Sequence, residues 1–176
     1  MTTAELERLI RTVPDFPRPG IAFRDITTLL KDPQGFRSAV DHLAEPFLGS
    51  EIDLVVGMES RGFLFAAPLA YKLNAGLVPV RKIGKLPADA ISVSYSLEYG
   101  SNTLEAHRDA IRPGQRVLIV DDLLATGGTA VATIQLIEQL GGKVIGLAFL
   151  IELLYLHGRE SMVSPPPIVS LIQYPE

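Results

Sequence analysis

The sequence contains no cysteine, and that absence excludes several kinds of chemistry. Disulfide bonds, thiolate zinc sites and cysteine nucleophiles all need a cysteine side chain. The chain also lacks a hydrophobic run of the roughly 20 residues that a membrane helix needs, and its first residues do not have the basic-then-apolar order of a signal peptide. We therefore expect a cytoplasmic protein with no membrane partner.

Basic residues are fewer than acidic residues in this sequence. The 16 lysines and arginines are outnumbered by 20 aspartates and glutamates, so the formal net charge is −4. A protein that binds nucleic acid or anionic lipid over a wide surface usually has a basic face, and this composition argues against one. Any site for an anion must therefore be local. His42, His107 and His157 are too scattered to indicate a metal site, and we predict no metal held by a cage of protein ligands.

The length and the apolar content favour one domain. The 176 residues, of which 47% are hydrophobic, suffice for a substantial core, and we predict a single domain over residues 1–176. Near the start, Thr2 and Glu5 resemble a capping box. Helical spacing continues to Val13, and the prolines and glycine of "PDFPRPG" then end the helix.

Strands and helices alternate through the remainder of the chain. An aspartate and a proline at residues 32–33 predict the start of a helix. The other predicted elements are a strand over Asp53–Gly57, a largely buried helix in "RGFLFAAPLAYKL", strands over Leu77–Val80, Ile91–Tyr99 and Val117–Val120, a helix over Ala130–Leu140, a strand over Val144–Leu150 and a final strand after "SPPP". This order predicts an α/β fold with a parallel sheet, whose ligand site lies at the carboxyl ends of its strands.

The stretch "VLIVDDLLATGGTA" places an anion-binding turn next to two acids. Residues 126–129 offer hydroxyl and backbone N–H groups just before a helix, and a helix start of this kind attracts phosphate. Asp121 and Asp122 should repel it. The loop matches neither the Walker pattern nor the Gly-x-Gly-x-x-Gly pattern of dinucleotide sites, so another ligand is required.

A ribose 5-phosphate reconciles the two kinds of group. Its phosphate would bind the loop, and its vicinal hydroxyls would donate hydrogen bonds to the two carboxylates. If a bond breaks at the anomeric carbon, the carboxylates also favour a developing oxocarbenium cation. The predicted sugar-phosphate ligands are Asp121, Asp122, Ala125, Thr126, Gly127, Gly128 and Thr129. The alternative is that the acids merely end a strand and that the loop is a connecting turn.

Two further motifs suit a pyrophosphate. The turn in "GMESRGF" follows a predicted strand, and its successive N–H groups and arginine form an anion-binding nest. The stretch "RKIGK" adds three cations. The predicted pyrophosphate ligands are Glu59, Ser60, Arg61, Arg81, Lys82 and Lys85. Taken singly, the motifs are also compatible with a turn that has a surface arginine and with a solvated basic run.

Two segments are candidates for covers over the site. Apolar and polar residues alternate over Ile91–Tyr99, which is typical of a half-exposed strand, and Glu98 and Tyr99 lie at its tip. Such an arm acts as a lid if it closes over the site and excludes water. The segment "FPRPGIAFRDIT" is predicted to be irregular because of Pro17 and Pro19, and irregular surface segments often carry binding residues.

Together these motifs resemble the type I phosphoribosyltransferases. "VLIVDDLLATGGTA" is similar to the signature of that family, which uses 5-phosphoribosyl-1-pyrophosphate (PRPP). "FPRPGIAFRDIT", "GMESRGFLF", "RKIGKLP" and "SYSLEYGSNTLE" resemble, in that order, its adenine-specific branch. The resemblance implies a mostly parallel central sheet with helices on both faces, an N-terminal hood over about residues 1–30 and a flexible lid over about residues 91–105. It also implies the reaction of adenine with PRPP, which forms AMP and pyrophosphate.

The resemblance also implies individual roles and partners. A cis peptide bond is implied between Glu59 and Ser60, and catalytic roles for Arg61, for Glu98 near the purine N7 and for Tyr99 in the lid. The implied adenine contacts are Ala22, Phe23, Arg24 and Leu153. In similar enzymes the equivalent of Arg81 reaches the pyrophosphate of the neighbouring subunit, so a homodimer is expected. Magnesium is expected to arrive with PRPP or pyrophosphate.

Two alternatives remain open at this point. The first is an enzyme of the same family that uses another base, such as xanthine, hypoxanthine or orotate, although a hood that reads the base through its backbone suits a 6-amino group. The second is a regulatory protein that senses PRPP and binds DNA. We would expect such a regulator to have a winged-helix segment and a basic face, and this sequence indicates neither, so we expect no nucleic-acid partner.

Overall fold

The backbone forms two compact units in the computed structural model, which describes residues 1–96 and 101–176. The first unit covers Met1–His42 and the second covers Leu43–Glu176. The single-domain prediction stays a prediction. Among the described residues, none of the helices is long and apolar enough to cross a membrane.

The first unit contains short elements. They are helix α1 (Thr3–Arg8), strands β1 (Arg11–Val13) and β2 (Phe23–Asp25), helix α2 (Thr27–Leu30) and the greater part of helix α3 (Pro33–Ala44). The predicted capping box of α1 is confirmed by reciprocal hydrogen bonds between Thr2 and Glu5. The predicted start of α3 is confirmed as well, because the carboxylate of Asp32 accepts a hydrogen bond of 2.7 Å from the backbone N–H of Gly35.

The first helix is shorter than predicted, and the segment after it is more regular. Helix α1 ends at Arg8, and β1 pairs with β2 in an antiparallel ladder. Arg11 and Asp25 face each other in this ladder and form an ion pair. The prediction that the helix continues to Val13 was therefore wrong, and so was that of a wholly irregular "FPRPGIAFRDIT". The helical spacing was present, but β-branched residues such as Thr12 favour a strand once a partner strand is available.

A seven-stranded sheet dominates the second unit. Its strands in chain order are β3 (Leu54–Met58), β4 (Gly76–Lys82), β5 (Ala90–Ser96), β6 (Ser101–His107), β7 (Arg116–Leu124), β8 (Lys143–Leu153) and β9 (Ile168–Tyr174). Their spatial order is β5-β6-β4-β3-β7-β8-β9. Five neighbouring strands are parallel to one another: β4, β3, β7, β8 and β9. Strand β6 is antiparallel to both of its neighbours, β5 and β4. The predicted mostly parallel sheet is confirmed.

Helices cover both faces of this sheet, as predicted. They are α4 (Gly62–Leu73) and α5 (Gly128–Gln139), and the 3₁₀ turns are Glu45–Phe47, Leu154–Leu156 and Gly158–Ser161. Successive residues of a strand point to opposite faces. On β3, Met58 lies in a buried cluster with Leu136 of α5. The preceding residue, Gly57, faces α4, since a Cβ atom there would lie 2.7 Å from the Cβ atom of Ala66.

Strand β7 and helix α4 differ from the sequence-based expectation. Because β7 continues to Leu124, Asp121 and Asp122 lie within the strand rather than after it. Helix α4 is buried on one face only, and Leu64 and Tyr71 are 43% and 91% exposed. The prediction of a largely buried helix was wrong. Helix α4 has apolar side chains on all of its faces, but only one face packs against the sheet.

Candidate active site

A cavity of about 370 Å³ opens at the carboxyl ends of the central strands, where the sequence predicted a ligand site. Its wall contains all the residues predicted to bind the sugar phosphate. It also contains four of those predicted to bind pyrophosphate. The wall is formed by Met58, Glu59, Ser60, Arg61, Lys82, Tyr95, Asn102, Leu104, Asp121, Asp122, Leu123, Leu124, Ala125, Thr126, Gly127, Gly128, Thr129, Ala130 and Phe149.

The two aspartates near the end of β7 have different surroundings. The Nε atom of Arg61 lies 2.7 Å from Oδ2 of Asp122, which is buried. The Oδ1 atom of Asp121 accepts a hydrogen bond of 2.8 Å from the backbone N–H of Asp122. Withdrawal from water raises the pKa of both carboxyl groups. The charge of Asp122 raises the pKa of Asp121 further, whereas the Arg61 guanidinium opposes the rise at Asp122. Hydrogen-bond donors from a ligand would stabilise the ionised pair.

The loop before α5 presents a helix start to the cavity. Gly127 adopts a left-handed conformation with φ of 86°, and within the described chain no side-chain hydrogen bond caps the first turn of α5. The N–H groups of that turn are therefore available to a ligand. They carry the positive end of the helix dipole, which suits a phosphate group.

The 3₁₀ turn Gly158–Ser161 packs directly on this loop. A Cβ atom on Gly127 would lie 2.4 Å from the carbonyl oxygen of Gly158 and 2.1 Å from Oγ of Ser161. A Cβ atom on Gly158 would lie 2.2 Å from the carbonyl oxygen of Ala125. Neither position accommodates a side chain without movement of the backbone, so close packing against the turn fixes the path of the loop.

A partly buried ion pair holds the same turn to the sheet. Arg159 donates hydrogen bonds of 2.6 and 2.7 Å to the two carboxylate oxygens of Glu152, which is 2% exposed. Side chains of β9 complete the network, with Ser170 contacting Arg159 and Gln173 contacting Glu152. The hydrogen bonds from Arg159 lower the pKa of Glu152, so its carboxylate stays charged despite burial.

The turn after β3 connects the cavity with the basic segment. The peptide bond between Glu59 and Ser60 is cis, which confirms the expectation from the family resemblance. The Oε2 atom of Glu59 accepts hydrogen bonds from the backbone N–H of Lys82 at 2.9 Å and from Nε of Arg81 at 3.2 Å. The Lys82 N–H, assisted by Arg81, lowers the pKa of Glu59. The ionised Glu59 carboxylate therefore orients the basic segment.

Comparisons with known proteins identify the family. A family model described as a phosphoribosyl transferase domain matches residues 27–164. A protein of Acidobacterium capsulatum named adenine phosphoribosyltransferase is 61% identical to this chain, over 97% of this chain and 94% of its own length. The chain belongs to the adenine phosphoribosyltransferase family. The predicted family membership is confirmed.

Solved structures of other adenine phosphoribosyltransferases share the fold. The structure from Thermoanaerobacter pseudethanolicus matches with a TM-score of 0.94 at 52% identity, over 98% of this chain and 100% of its own. The structure from Saccharomyces cerevisiae, complexed with an imino-altritol bisphosphate and adenine, matches with a TM-score of 0.90 at 42% identity, over 96% and 97% of the two chains. The predicted type I phosphoribosyltransferase fold is confirmed.

Several predicted site residues of this family member do not contribute to the cavity. Among the described residues, the wall does not include Arg81, Lys85 or Leu153. Arg81 instead contacts Glu59 and the carbonyl oxygen of Lys85. Glu98 and Tyr99, with the centre of the predicted lid, lie outside the described residues. The roles assigned to all these residues stay predictions.

The residues predicted to contact adenine near the N-terminus belong to the first unit. Ala22 precedes β2, and Phe23 and Arg24 lie within it. The ring of Phe23 packs edge-on against that of Phe16, with ring centroids 5.1 Å apart. The Nη1 atom of Arg24 donates a hydrogen bond of 2.6 Å to the hydroxyl of Thr12. Within its own unit, this segment is therefore held in place, and its predicted role in a phosphoribosyltransferase hood stays a prediction.

Sequence analysis missed two polar residues of the phosphoribosyltransferase cavity. Tyr95 and Asn102 face each other across β5 and β6, and both line the cavity. Both residues lie within the predicted lid, and the alternation counted Tyr95 among the apolar positions of a half-exposed strand. The alternation did not predict that either side chain lines the ligand site, because that depends on pairing between distant segments.

The cavity suits a magnesium ion that is also coordinated by substrate phosphates and water. Within residues 1–96 and 101–176, no three His, Asp or Glu side chains lie close enough together to hold a metal. Magnesium is commonly held by one or two carboxylates together with substrate phosphates and water. Asp121 and Asp122 are oxygen donors of that kind.

Proposed function

We propose that this protein transfers the 5-phosphoribosyl group of PRPP to adenine, forming AMP and pyrophosphate in purine salvage. The observation that carries the proposal is the meeting of Asp121 and Asp122 with the loop 125–129 in one cavity. A ligand with a phosphate, a vicinal diol and a developing positive charge needs these groups side by side. The names of the relatives support adenine as the acceptor, and the Saccharomyces cerevisiae structure contains adenine.

The proposed reaction exchanges one bond at the anomeric carbon for another. The bond to the pyrophosphate oxygen breaks while adenine N9 bonds to the same carbon, and adenine gives up the proton of its imidazole ring. The ribose ring then gains positive charge, which the carboxylates of Asp121 and Asp122 stabilise. The departing pyrophosphate gains negative charge, which Arg61 and Lys82 stabilise. No bond to the protein forms in this scheme, so positioning and electrostatics supply the rate acceleration.

The turn after β3 supplies the proposed pyrophosphate site. Its backbone N–H groups around Ser60 and the Arg61 guanidinium are suited to oxygen atoms of the leaving group. Glu59 contributes indirectly, because its carboxylate holds Lys82 and Arg81 in place. Magnesium bound to the pyrophosphate would neutralise part of its charge, with Asp121 and Asp122 as its oxygen ligands.

A homodimer would complete the site. Because Arg81 does not line the cavity of its own chain among the described residues, we assign its guanidinium to the pyrophosphate in the partner subunit. Exposed apolar side chains on β4, just after it and on α4, which packs against β4, support a second copy of the chain as the partner. They are Leu64, Tyr71, Leu77 and Ile83, which are 43%, 91%, 47% and 62% exposed.

The remaining assignments rest on the resemblance to the family. Adenine would be read by the backbone around Ala22 and Arg24, with Phe23 and Leu153 against its ring. Glu98 would act near the purine N7, as an acid/base group or a hydrogen-bond partner, and closure of the lid would involve Tyr99. A cytoplasmic location belongs to the same proposal.

A panel of bases tests the proposed function. The purified protein would be incubated with PRPP and magnesium and, in separate reactions, with adenine, hypoxanthine, xanthine or orotate. The nucleotide formed would be identified by mass spectrometry. We expect AMP from adenine and much slower formation of the other nucleotides, with Asp122→Asn as the control for contaminating activity. Faster reaction with another base, or the absence of any nucleotide, would contradict the proposal.

A further inference from the structure

Tyr95 links strand β5 to the phosphate loop. Its phenol oxygen lies 3.2 Å from Oγ1 of Thr129, the second residue of α5. Both residues line the cavity. The hydrogen bond therefore joins one strand of the β5–β6 arm to the helix start at which the proposed function places the 5-phosphate.

The hydroxyl group of Tyr95 is not needed for packing. Its ring is partly buried and packs against the apolar core that also contains residues of α5, and a phenylalanine ring would occupy the same space. Across the ladder Tyr95 faces Asn102, which also lines the cavity. The arm thus brings two hydrogen-bonding residues to the site at one register position.

A bound phosphate would give the contact between the two hydroxyl groups a direction. Each hydroxyl has a single proton to donate, and without an anion either group is able to be the donor. If Thr129 donates its proton to a phosphate oxygen, its Oγ1 atom accepts, and Tyr95 must donate. Both hydrogen bonds then point toward the negative charge and strengthen each other.

We propose that Tyr95 is a positioning residue that holds the Thr129 hydroxyl toward the 5-phosphate of PRPP and so couples phosphate binding to the β5–β6 arm. The inference rests on the proposed function of the cavity. It assigns to β5 a part in recognising PRPP that is separate from its predicted continuation into Glu98 and Tyr99. Tyr95 acts through Thr129 and touches neither the anomeric carbon nor adenine in this scheme.

The Tyr95→Phe variant tests the role of the hydroxyl, because it keeps the ring. We expect the KM for PRPP to rise about three- to tenfold, as for the loss of one hydrogen bond, with little change in the KM for adenine or in Tm. Binding of ribose 5-phosphate, measured by titration calorimetry, should weaken by a similar factor. Tyr155→Phe is the matched control, since Tyr155 is 43% exposed and lies outside the cavity wall.

A double-mutant cycle with Thr129→Val tests whether Tyr95 acts through Thr129. In the Thr129→Val background, Tyr95→Phe should change the KM for PRPP by less than about twofold. Independent, multiplicative effects of the two substitutions would overturn the inference. An equal rise in both KM values together with a lower Tm would assign Tyr95 a packing role only and would overturn it as well.

The wild-type protein separates this inference from the proposed function. If it makes no AMP, the proposed function fails. If it makes AMP and the Tyr95→Phe variant retains the wild-type KM for PRPP and the wild-type affinity for ribose 5-phosphate, only the inference about Tyr95 fails.

Discussion

The guanidinium of Arg61 lies 2.7 Å from the carboxylate of Asp122, although the two residues belong to different elements, the turn before α4 and strand β7. The contact brings together a predicted pyrophosphate ligand and a predicted ribose ligand. Because burial raises the pKa of Asp122 and Arg61 opposes that rise, the arginine favours the ionised acid. The pair therefore links the two halves of the proposed PRPP site.

Removing either member of this pair should abolish most of the activity. We expect Asp122→Asn and Arg61→Ala each to lower kcat by about 100-fold or more, because each removes a charge that the transition state needs. AMP formation and thermal unfolding would be measured together, with Asp109→Asn as an exposed control outside the cavity wall. Near-normal turnover of both variants would refute the assignment.

The phosphate loop should not tolerate a side chain at Gly127. We expect Gly127→Ala to raise the KM for PRPP by about tenfold or more, since the new Cβ atom collides with the turn at Gly158. Gly49→Ala is the matched control, because its φ of 82° is close to the 86° of Gly127 and its Cβ atom would meet nothing within 4 Å. Both variants share a conformational cost of about 1 kcal/mol. Equal effects on Tm and on KM would show that packing against the turn is unimportant.

Removing the charge of Glu152 should destabilise the protein in a pH-dependent way. Hydrogen bonds from Arg159 hold the folded-state pKa of Glu152 below its ordinary value of 4.5. This stabilisation is present above the ordinary pKa and is lost as the pH falls through the lower folded pKa. We expect Glu152→Gln to lower the free energy of unfolding by about 2 kcal/mol at pH 7 and by less in acid. Urea denaturation at several pH values would measure this, and a pH-independent loss would assign the effect to packing.

Mixed dimers should reveal which subunit uses Arg81. If Arg81 serves the partner's site, a heterodimer of an Arg81→Ala chain and an Asp122→Asn chain retains one complete site and one doubly defective site. Its activity should then be about half that of the wild-type dimer, although either variant alone is nearly inactive. Two affinity tags would isolate the heterodimer. Absence of restored activity would mean that Arg81 serves its own chain.

Substitution of Phe23 should change the KM for adenine and leave the KM for PRPP unchanged. If its ring stacks on the base, Phe23→Ala should raise the KM for adenine by about tenfold, as expected for the loss of one base–aromatic contact. The KM for PRPP serves as the internal control. Similar changes in both KM values would argue against a specific base contact.

The parts of the site that are formed by residues close together in the sequence could be predicted from the sequence. Asp121, Asp122 and the following loop lie within one strand-loop-helix segment, so their order alone indicated phosphate and ribose chemistry. The buried strands were recognisable from their apolar runs for the same reason. The end of α1 was not, because the choice between helix and strand at Thr12 depended on pairing with β2.

Two of the missed contacts join residues that are distant in sequence. Tyr95 meets Thr129, and the backbone of Gly158 meets the loop at Gly127. No local pattern encodes such contacts, since each partner taken alone resembles an ordinary strand or turn residue. The exposed face of α4 was missed for a related reason: apolar content indicates burial without indicating which surface provides it.

The interlocked backbones at Gly127 and Gly158 limit how far the phosphate loop can be treated as a portable motif. Transplanting "VLIVDDLLATGGTA" into another parallel sheet would carry the aspartates and the helix start with it. It would leave behind the turn that the loop leans against, which comes from a separate part of the chain. A recipient scaffold would have to provide an equally close backbone neighbour, and homologous recombination between relatives would succeed most often when both segments come from the same parent.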